Sequence, residues 1–335
     1  MAALGKSVMR LSSIILATGS YLPDNIIDNS SLTQFPSSFL PLIEQKTGVK
    51  SRRFAAPDQC TSDLAIEAAN RCLKKAKLAP EQVDAIILTT SSPDRIQPAT
   101  ATRVQDKIGA DQAYAFDLNS VCSGGIFALK VADSLIKEGS ARNVLVVGAE
   151  IYSKYLDPKD FSTFPYFGDG AGAVLLSGAA HTDRGLIHSL LKSDGSKAEA
   201  IQVPAGGTML PYSQLKNPKD IYFKMMGRDI FDFAVTRGSE IVNDLLAASG
   251  IPSKDIAFIV AHQANMNILT ELSSRIDIPL DKFVINLDKY GNTAAASVFI
   301  AFDELLESGQ VKDGDLILLV AFGGGLSWGA VLIRY

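Results

Sequence analysis

Residues 118–148 read LNSVCSGGIFALKVADSLIKEGSARNVLVVG, and residues 287–320 read LDKYGNTAAASVFIAFDELLESGQVKDGDLILLV. Each stretch opens on a leucine that closes an apolar run and passes through a short polar turn. Small residues then begin a helical pattern, an acidic residue and a glycine end it, and an apolar run of strand length follows. Glu138 and Glu307 each stand 20 residues past their leucine. The sequels also match: GDGAGAVLL from Gly168 and GGGLSWGAVLI from Gly323. An α/β unit repeated at a spacing of about 170 residues predicts two similar halves on a pseudo-twofold axis.

Outward from this repeat, apolar runs of strand length alternate with helical patterns. The runs are 85–90, 114–118, 144–147, 173–176, 258–261, 283–287 and 316–320; helical periodicity covers 62–76, 125–138, 226–249 and 295–308. Continuous apolar runs suit strands covered on both faces, which makes the chain an α/β protein. Thr61 or Ser62 is expected to cap the first of these helices. Residues 179–221, rich in Gly, Ser, Lys and Pro, read as loop with short strands bordering a site.

The 335 residues and 47% apolar content accommodate two core-forming halves, divided here as 1–178 and 179–335. A net charge of -4 without a basic block gives no support to nucleic-acid or anionic-membrane binding. Cys60, Cys72 and Cys122 have no CxxC spacing and cannot build a disulfide framework, so a reducing, cytoplasmic setting is expected. The opening MAALGKSVMRLSSIILATGS has too short an apolar run for a signal peptide, and no stretch approaches a membrane span.

Cys122, in DLNSVCSGG, follows a strand and opens a helix. Unpaired N–H groups and the positive end of the helix dipole favour thiolate there. Cys60 and Cys72 read as structural. His262 begins HQAN at the end of the run 258–261, where α/β sheets expose groups to ligands. Asn292, in KYGNTAAAS, lies almost where Cys122 lies in the first repeat. Gly323-Gly324-Gly325 permits a bend whose N–H groups could face an oxyanion. GDGAG at Gly168–Gly172 lacks the GK[ST] ending of a P-loop and reads as a tight turn supporting the site.

Together with the TGV turn at Thr47–Val49, FGDGAGAVLL from Phe167 and AFGGGLSWGA from Ala321, these motifs resemble the β-ketoacyl-acyl-carrier-protein synthase III family over nearly the whole chain. The resemblance implies a thiolase-like fold, two duplicated α/β halves in layered αβαβα order. It implies a catalytic triad of Cys122, His262 and Asn292, with the Cys122 and Gly324 backbone N–H groups as oxyanion hole. An acyl thioester of coenzyme A or a carrier protein would load Cys122, and a malonyl thioester would then decarboxylate and condense with it, in fatty-acid biosynthesis. No metal or redox cofactor is implied. Arg228, Phe231 and Asn265 are expected to contact substrate. Gln97 would reach the neighbouring subunit's acyl pocket in a homodimer.

Departures from the family's initiating enzymes occur where coenzyme and carrier contacts are expected: Leu42 for a Trp, Phe161 for an Arg, and Asp232, Asn267 and Ser274 where basic residues are common. They keep a second reading open, a specialised-metabolism enzyme passing the acyl group to an unusual acceptor. A non-catalytic partner on the same fold is disfavoured by the retained Cys, His and Asn. Thiolase-type cleavage is disfavoured because no second cysteine lies near Gly323–Gly325.

Overall fold

The computed structural model describes residues 11–335, so the opening MAALGKSVMR and whatever was expected of it lie outside the described residues. The first half runs β1 (Ser12–Tyr21), β2 (Asn25–Asp28), α1 (Leu40–Thr47), β3 (Ser51–Phe54), α2 (Thr61–Ala76), β4 (Ala85–Thr89), α3 (Thr100–Ile108), β5 (Tyr114–Leu118), α4 (Gly124–Glu138), β6 (Asn143–Glu150) and β7 (Gly170–Ala179). The second runs β8 (Gly185–Ser193), β9 (Ile201–Gln202), β10 (Lys224–Met225), α5 (Gly227–Ser249), β11 (Ile256–Ala261), α6 (Met266–Ile276), α7 (Leu287–Tyr290), α8 (Ser297–Glu307), β12 (Leu316–Gly323) and β13 (Ser327–Arg334).

Strands of the first half form a sheet in the order β1-β7-β6-β4-β5, with β1 and β7 antiparallel to their neighbours and β6, β4 and β5 parallel. The second sheet repeats this as β8-β13-β12-β11, with the same directions. Its fifth strand is vestigial. The apolar run 283–287, expected as a strand, makes only a parallel bridge from Phe283 to Ile259 before α7 begins at Leu287. Apart from that strand, the strand order and directions of the two sheets match.

Side chains alternate along the buried strands and so define the layers. On β4, Ala85 and Ile87 face α4 and α8, whereas Ile86 and Leu88 face α2 and α3. On β12, Ile317 and Leu319 meet the same central helices, and Leu318 and Val320 meet α5 and α6. The result is α2/α3, sheet, α4/α8, sheet, α5/α6. The two central helices are buried between both sheets, which explains why their small and apolar residues outnumber polar ones.

Central packing is close because glycines line its contacts. A Cβ at Gly172 would stand 2.6 Å from Phe299 Cβ and 2.8 Å from the Ile300 nitrogen. At Gly148 it would stand 2.9 Å from the Ala295 carbonyl oxygen. Asp303 of α8, itself buried, accepts hydrogen bonds from Thr18 and Ser20 of β1 and Lys75 of α2, each at 2.7 Å. One correction concerns α2: its N-cap is Cys60, whose backbone N–H is accepted by Asp63 Oδ2 at 2.8 Å.

Gly172→Ala should cost about 1–3 kcal/mol, the usual range for overpacking a filled core. Gly195→Ala, where an added Cβ meets nothing within 4 Å, serves as control and should stay within about 0.5 kcal/mol. Denaturant unfolding of both variants measures the difference.

Candidate active site

Two sharp elbows bring the site together. In the first, Asn119 Oδ1 accepts the Val121 N–H at 3.1 Å, Val121 takes φ +46, and a 3₁₀ turn Val121–Ser123 carries Cys122 into α4. In the second, Asn292 Oδ1 accepts the Ala294 N–H at 2.8 Å, Ala294 takes φ +46, and a 3₁₀ turn Ala294–Ala296 leads into α8. A β-branched residue in the left-handed region is rare and strained, at about 1–3 kcal/mol, and such residues cluster at functional sites. Asn119 and Asn292 are 173 residues apart, as are Val121 and Ala294. The residue matching Cys122 is therefore Ala295, and Asn292 matches Asn119. The expectation that Asn292 lies almost at the Cys122 position is corrected by three residues.

Each elbow is clamped from outside. Ser123 Oγ lies 2.8 Å from Ser327 Oγ, and Ser327 Oγ donates to the Gly324 carbonyl at 3.1 Å, tying the Cys122 turn to the Gly323–Gly325 bend. Gly323 lies so close that a Cβ there would stand 2.7 Å from the Cys122 nitrogen. The Asn292 N–H donates to Tyr166 O at 2.8 Å, and its carbonyl accepts the Gly168 N–H at 3.0 Å. Buried Arg52 donates to Asn29 Oδ1 at 2.6 Å and to Pro165 O at 2.5 Å, fixing that loop. The GDGAG turn thus supports Asn292 directly.

His262 follows β11, its N–H donating to Val320 O at 2.8 Å. Its Nδ1 is 2.7 Å from Ser297 Oγ, and its ring stands edge-on to Phe322 with centroids 5.6 Å apart. Burial drives its pKa down to about 3, so the imidazole is neutral at any working pH. The Cys122 thiol, expected to be acidified by the helix N-terminus, is instead pushed up by burial and then by the Glu150 charge. Glu150 is fully buried with its carboxylate among Thr90, Ser91 and Ser92, and burial raises its pKa to about 7. Ser91 Oγ donates to Glu150 Oε1 at 2.9 Å and pairs with Tyr152 OH at 2.9 Å.

A single cavity of about 270 Å³ reaches Cys122, His262 and Asn292, and Gly323 also lines it. Exposed Lys46, Ser162 and Gly227 line it too, and its walls include Phe223, Met225, Phe231 and Ile268. Phe167 and Phe223 close its inner side, packed against Tyr152 at centroid distances of 5.1 Å and 5.4 Å. Phe231 and Asn265, expected to contact substrate, line the cavity. Arg228 does not; it is exposed at the start of α5, one position from Gly227. Gln97 is exposed and outside its own chain's cavity. Phe161 packs at 5.2 Å against both Phe35 and Phe39, so that position presents rings rather than a cation. Ser297, Glu150, Tyr152 and Phe322 were not marked in the sequence, although Ser297 closes GNTAAAS. Among the described residues, no cluster of three or more potential metal ligands occurs, and no helix is long and apolar enough to cross a membrane.

A neutral imidazole, a carboxamide and a cysteine at a helix start, gathered in one cavity of a duplicated α/β fold, define a thiolase-fold acyl-transfer enzyme. Known proteins agree. The family described as 3-oxoacyl-[acyl-carrier-protein (ACP)] synthase III matches residues 116–195, and its C-terminal counterpart matches 246–335. A β-ketoacyl-[acyl-carrier-protein] synthase III of Clostridium perfringens is 42% identical over 320 residues, covering 96% of this chain and 98% of that one. The crystal structure of 3-oxoacyl-[acyl-carrier-protein] synthase III from Aquifex aeolicus superposes with a TM-score of 0.88 at 39% identity, covering 96% of this chain and all of the other. The priming β-ketosynthase of the R1128 polyketide pathway superposes with a TM-score of 0.87 at 29% identity, covering 97% and 96%. The chain belongs to the β-ketoacyl-acyl-carrier-protein synthase III family of condensing acyltransferases.

Glu150 has a consequence for stability. Its folded pKa of about 7 exceeds the ordinary value of 4.5, so between those values the folded protein holds a proton that the unfolded chain releases. Rising pH then favours unfolding by roughly 1.4 kcal/mol per unit from this group. Glu150→Gln should remove that slope between pH 4.5 and 7, read as the pH dependence of the urea midpoint. An unchanged slope would mean that Glu150 is already ionised across this range.

Proposed function

We propose that Cys122 is the acylated nucleophile, that His262 and Asn292 stabilise the enolate of a malonyl thioester, and that the Cys122 and Gly324 N–H groups hold the acyl oxyanion. One observation carries the reading: both polar groups keep a side-chain nitrogen unengaged and line the cavity that contains the thiol. Asn292 spends its Oδ1 on the Ala294 N–H, leaving its NH₂ free. His262 engages Nδ1 with Ser297, leaving Nε2 for the cavity.

In this mechanism Cys122 attacks an acyl thioester, displaces the carrier thiol and retains the acyl group. The malonyl thioester then loses carbon dioxide. The electron pair left on its α-carbon delocalises onto the thioester oxygen, where the His262 and Asn292 donors receive it. That carbon attacks the acyl-Cys carbonyl, and collapse of the tetrahedral oxyanion expels Cys122. Neutral donors suit this step because the charge develops only in the transition state.

The relatives' names refer to acyl-carrier protein, and we take an acyl-carrier or coenzyme A thioester as partner of this chain, in the cytoplasm, with no metal or redox cofactor. Residues 1–178 and 179–335 are the two functional halves, the first supplying Cys122 and the second His262 and Asn292. Phe231 and Asn265 contact the thioester arm. A homodimer is part of the reading: β5 ends its sheet with Tyr114 exposed, and Ile96, beside Gln97, is 79% exposed. Gln97 would then close the neighbour's acyl pocket.

Cys122→Ser should abolish the acyl adduct seen by intact mass after mixing with acyl-coenzyme A. His262→Ala and Asn292→Ala should keep the adduct and lose about 10²–10³ in release of carbon dioxide from a malonyl thioester. An adduct on Cys60 or Cys72 would overturn the assignment. Sedimentation is expected to show a dimer, and a fully active monomer would remove the role given to Gln97.

A further inference from the structure

His262 serves the proposed reaction only in one tautomer. A donor aimed into the cavity requires the proton on Nε2 and a bare Nδ1. Ordinarily that choice is left to assumption, because a hydroxyl beside Nδ1 can either give or receive a proton. Here the surroundings decide it. Ser297 Oγ, 2.7 Å from Nδ1, also accepts the backbone N–H of Gln263 at 3.4 Å. A backbone N–H can only donate. If Nδ1–H donated as well, the Ser297 oxygen would receive two protons, and its own would be left without an acceptor in a residue 1% exposed. A buried hydroxyl without an acceptor keeps its full desolvation penalty with nothing to offset it. The stable arrangement runs from Gln263 N–H to Ser297 Oγ, and from Ser297 O–H to Nδ1.

We propose that Ser297 is a positioning residue that holds His262 as its Nε2–H tautomer; the inference rests on the role given to His262 above. The pseudo-twofold axis supplies independent support. Ser297 opens α8 as Gly124 opens α4, 173 residues earlier. In the first half that position has no side chain, and a Cβ there would collide with Thr89 Oγ1 at 1.9 Å. The second half carries a hydroxyl at the matching place, with His262 as its partner. Gln263 is held in turn: its Nε2 donates to Ala261 O and Val284 O, each at 2.9 Å, and its Oε1 accepts the Asn286 N–H at 3.1 Å. The backbone N–H facing Ser297 is therefore fixed rather than free to swing away.

The decisive measurement is ¹⁵N NMR of histidine-labelled protein, which distinguishes protonated from bare ring nitrogens and needs no substrate. His262 in the wild type should show a protonated Nε2 and a bare Nδ1, unchanged from pH 5 to 8. In Ser297→Ala, Nδ1 should carry a proton in a substantial fraction of molecules, while the His181 and His188 signals stay in place as a check on folding. Carbon dioxide release from a malonyl thioester should fall about 10–100-fold, with Cys122 acylation within about threefold of wild type. Ser297→Thr, which keeps the hydroxyl, should restore the Nε2–H spectrum. Wild-type protein with its proton on Nδ1, or a Ser297→Ala variant that keeps Nε2–H and full decarboxylation, would overturn the proposal. Wild-type protein with the expected spectrum but no decarboxylation would instead overturn the function proposed for the site.

Discussion

The packing of α4 and α8 between two sheets is the constraint on which the site depends. Both helices meet strands on two sides, and solvent reaches α4 chiefly at Ser134, Lys137 and Glu138 and α8 at Glu307. Gly148 and Gly172 allow α8 to lie directly on the first sheet. Once that contact is set, the two helix starts have little freedom, and the elbows before them converge. The thiol and the carboxamide then meet in one cavity although they lie 170 residues apart in sequence. Loss of this contact would loosen the core and the site together, because the same helices build both.

The site is electrostatically quiet, which suits the enolate chemistry proposed for it. Burial holds His262 neutral and pushes the Cys122 thiol up; Asn292 carries no charge at all. A charged imidazole would bind a malonyl carboxylate strongly in the ground state and gain little as that carboxylate departs. Fixed neutral dipoles gain most when charge arrives on the thioester oxygen. The exception is Glu150, whose charge disfavours the thiolate when it ionises.

Much of this was legible in the sequence because periodicity and turn chemistry are local. The repeat, the buried strands and the motif ends at Cys122, His262 and Asn292 all follow from short-range pattern. What was misread depends on register or tertiary context. Residues 283–287 have the composition of a strand, yet they sit where the second sheet has almost no fifth strand, and Leu287 starts a helix turn instead. Cys60 caps α2 because Asp63 folds back to its N–H, a contact that the nearby Thr61 and Ser62 masked. Arg228 shares its helix with Phe231 but points from the exposed first turn. Ser297 gave no signal by itself: a serine at a helix start is ordinary until the residue opposite it is known.

The two halves also show how a duplicated frame acquires chemistry. Asn119 and Asn292 make the same turn, each with its Oδ1 on the N–H two residues later and a left-handed residue beyond. In the first half Asn119 is exposed, and the next helix start offers Cys122. In the second, the cysteine position is Ala295, and Asn292 is buried in the cavity. Space explains why one elbow could not supply both functions. Gly323 already presses on the Cys122 backbone, and Gly124 tolerates no Cβ against Thr89. The Cys122 elbow therefore has no room for a side chain beside it that could orient an imidazole. The second elbow carries Ser297 at that place and meets His262 from β11. Division of labour between the halves thus follows from packing: one elbow is compressed around a thiol, and the other leaves room for the polar pair proposed to receive the enolate.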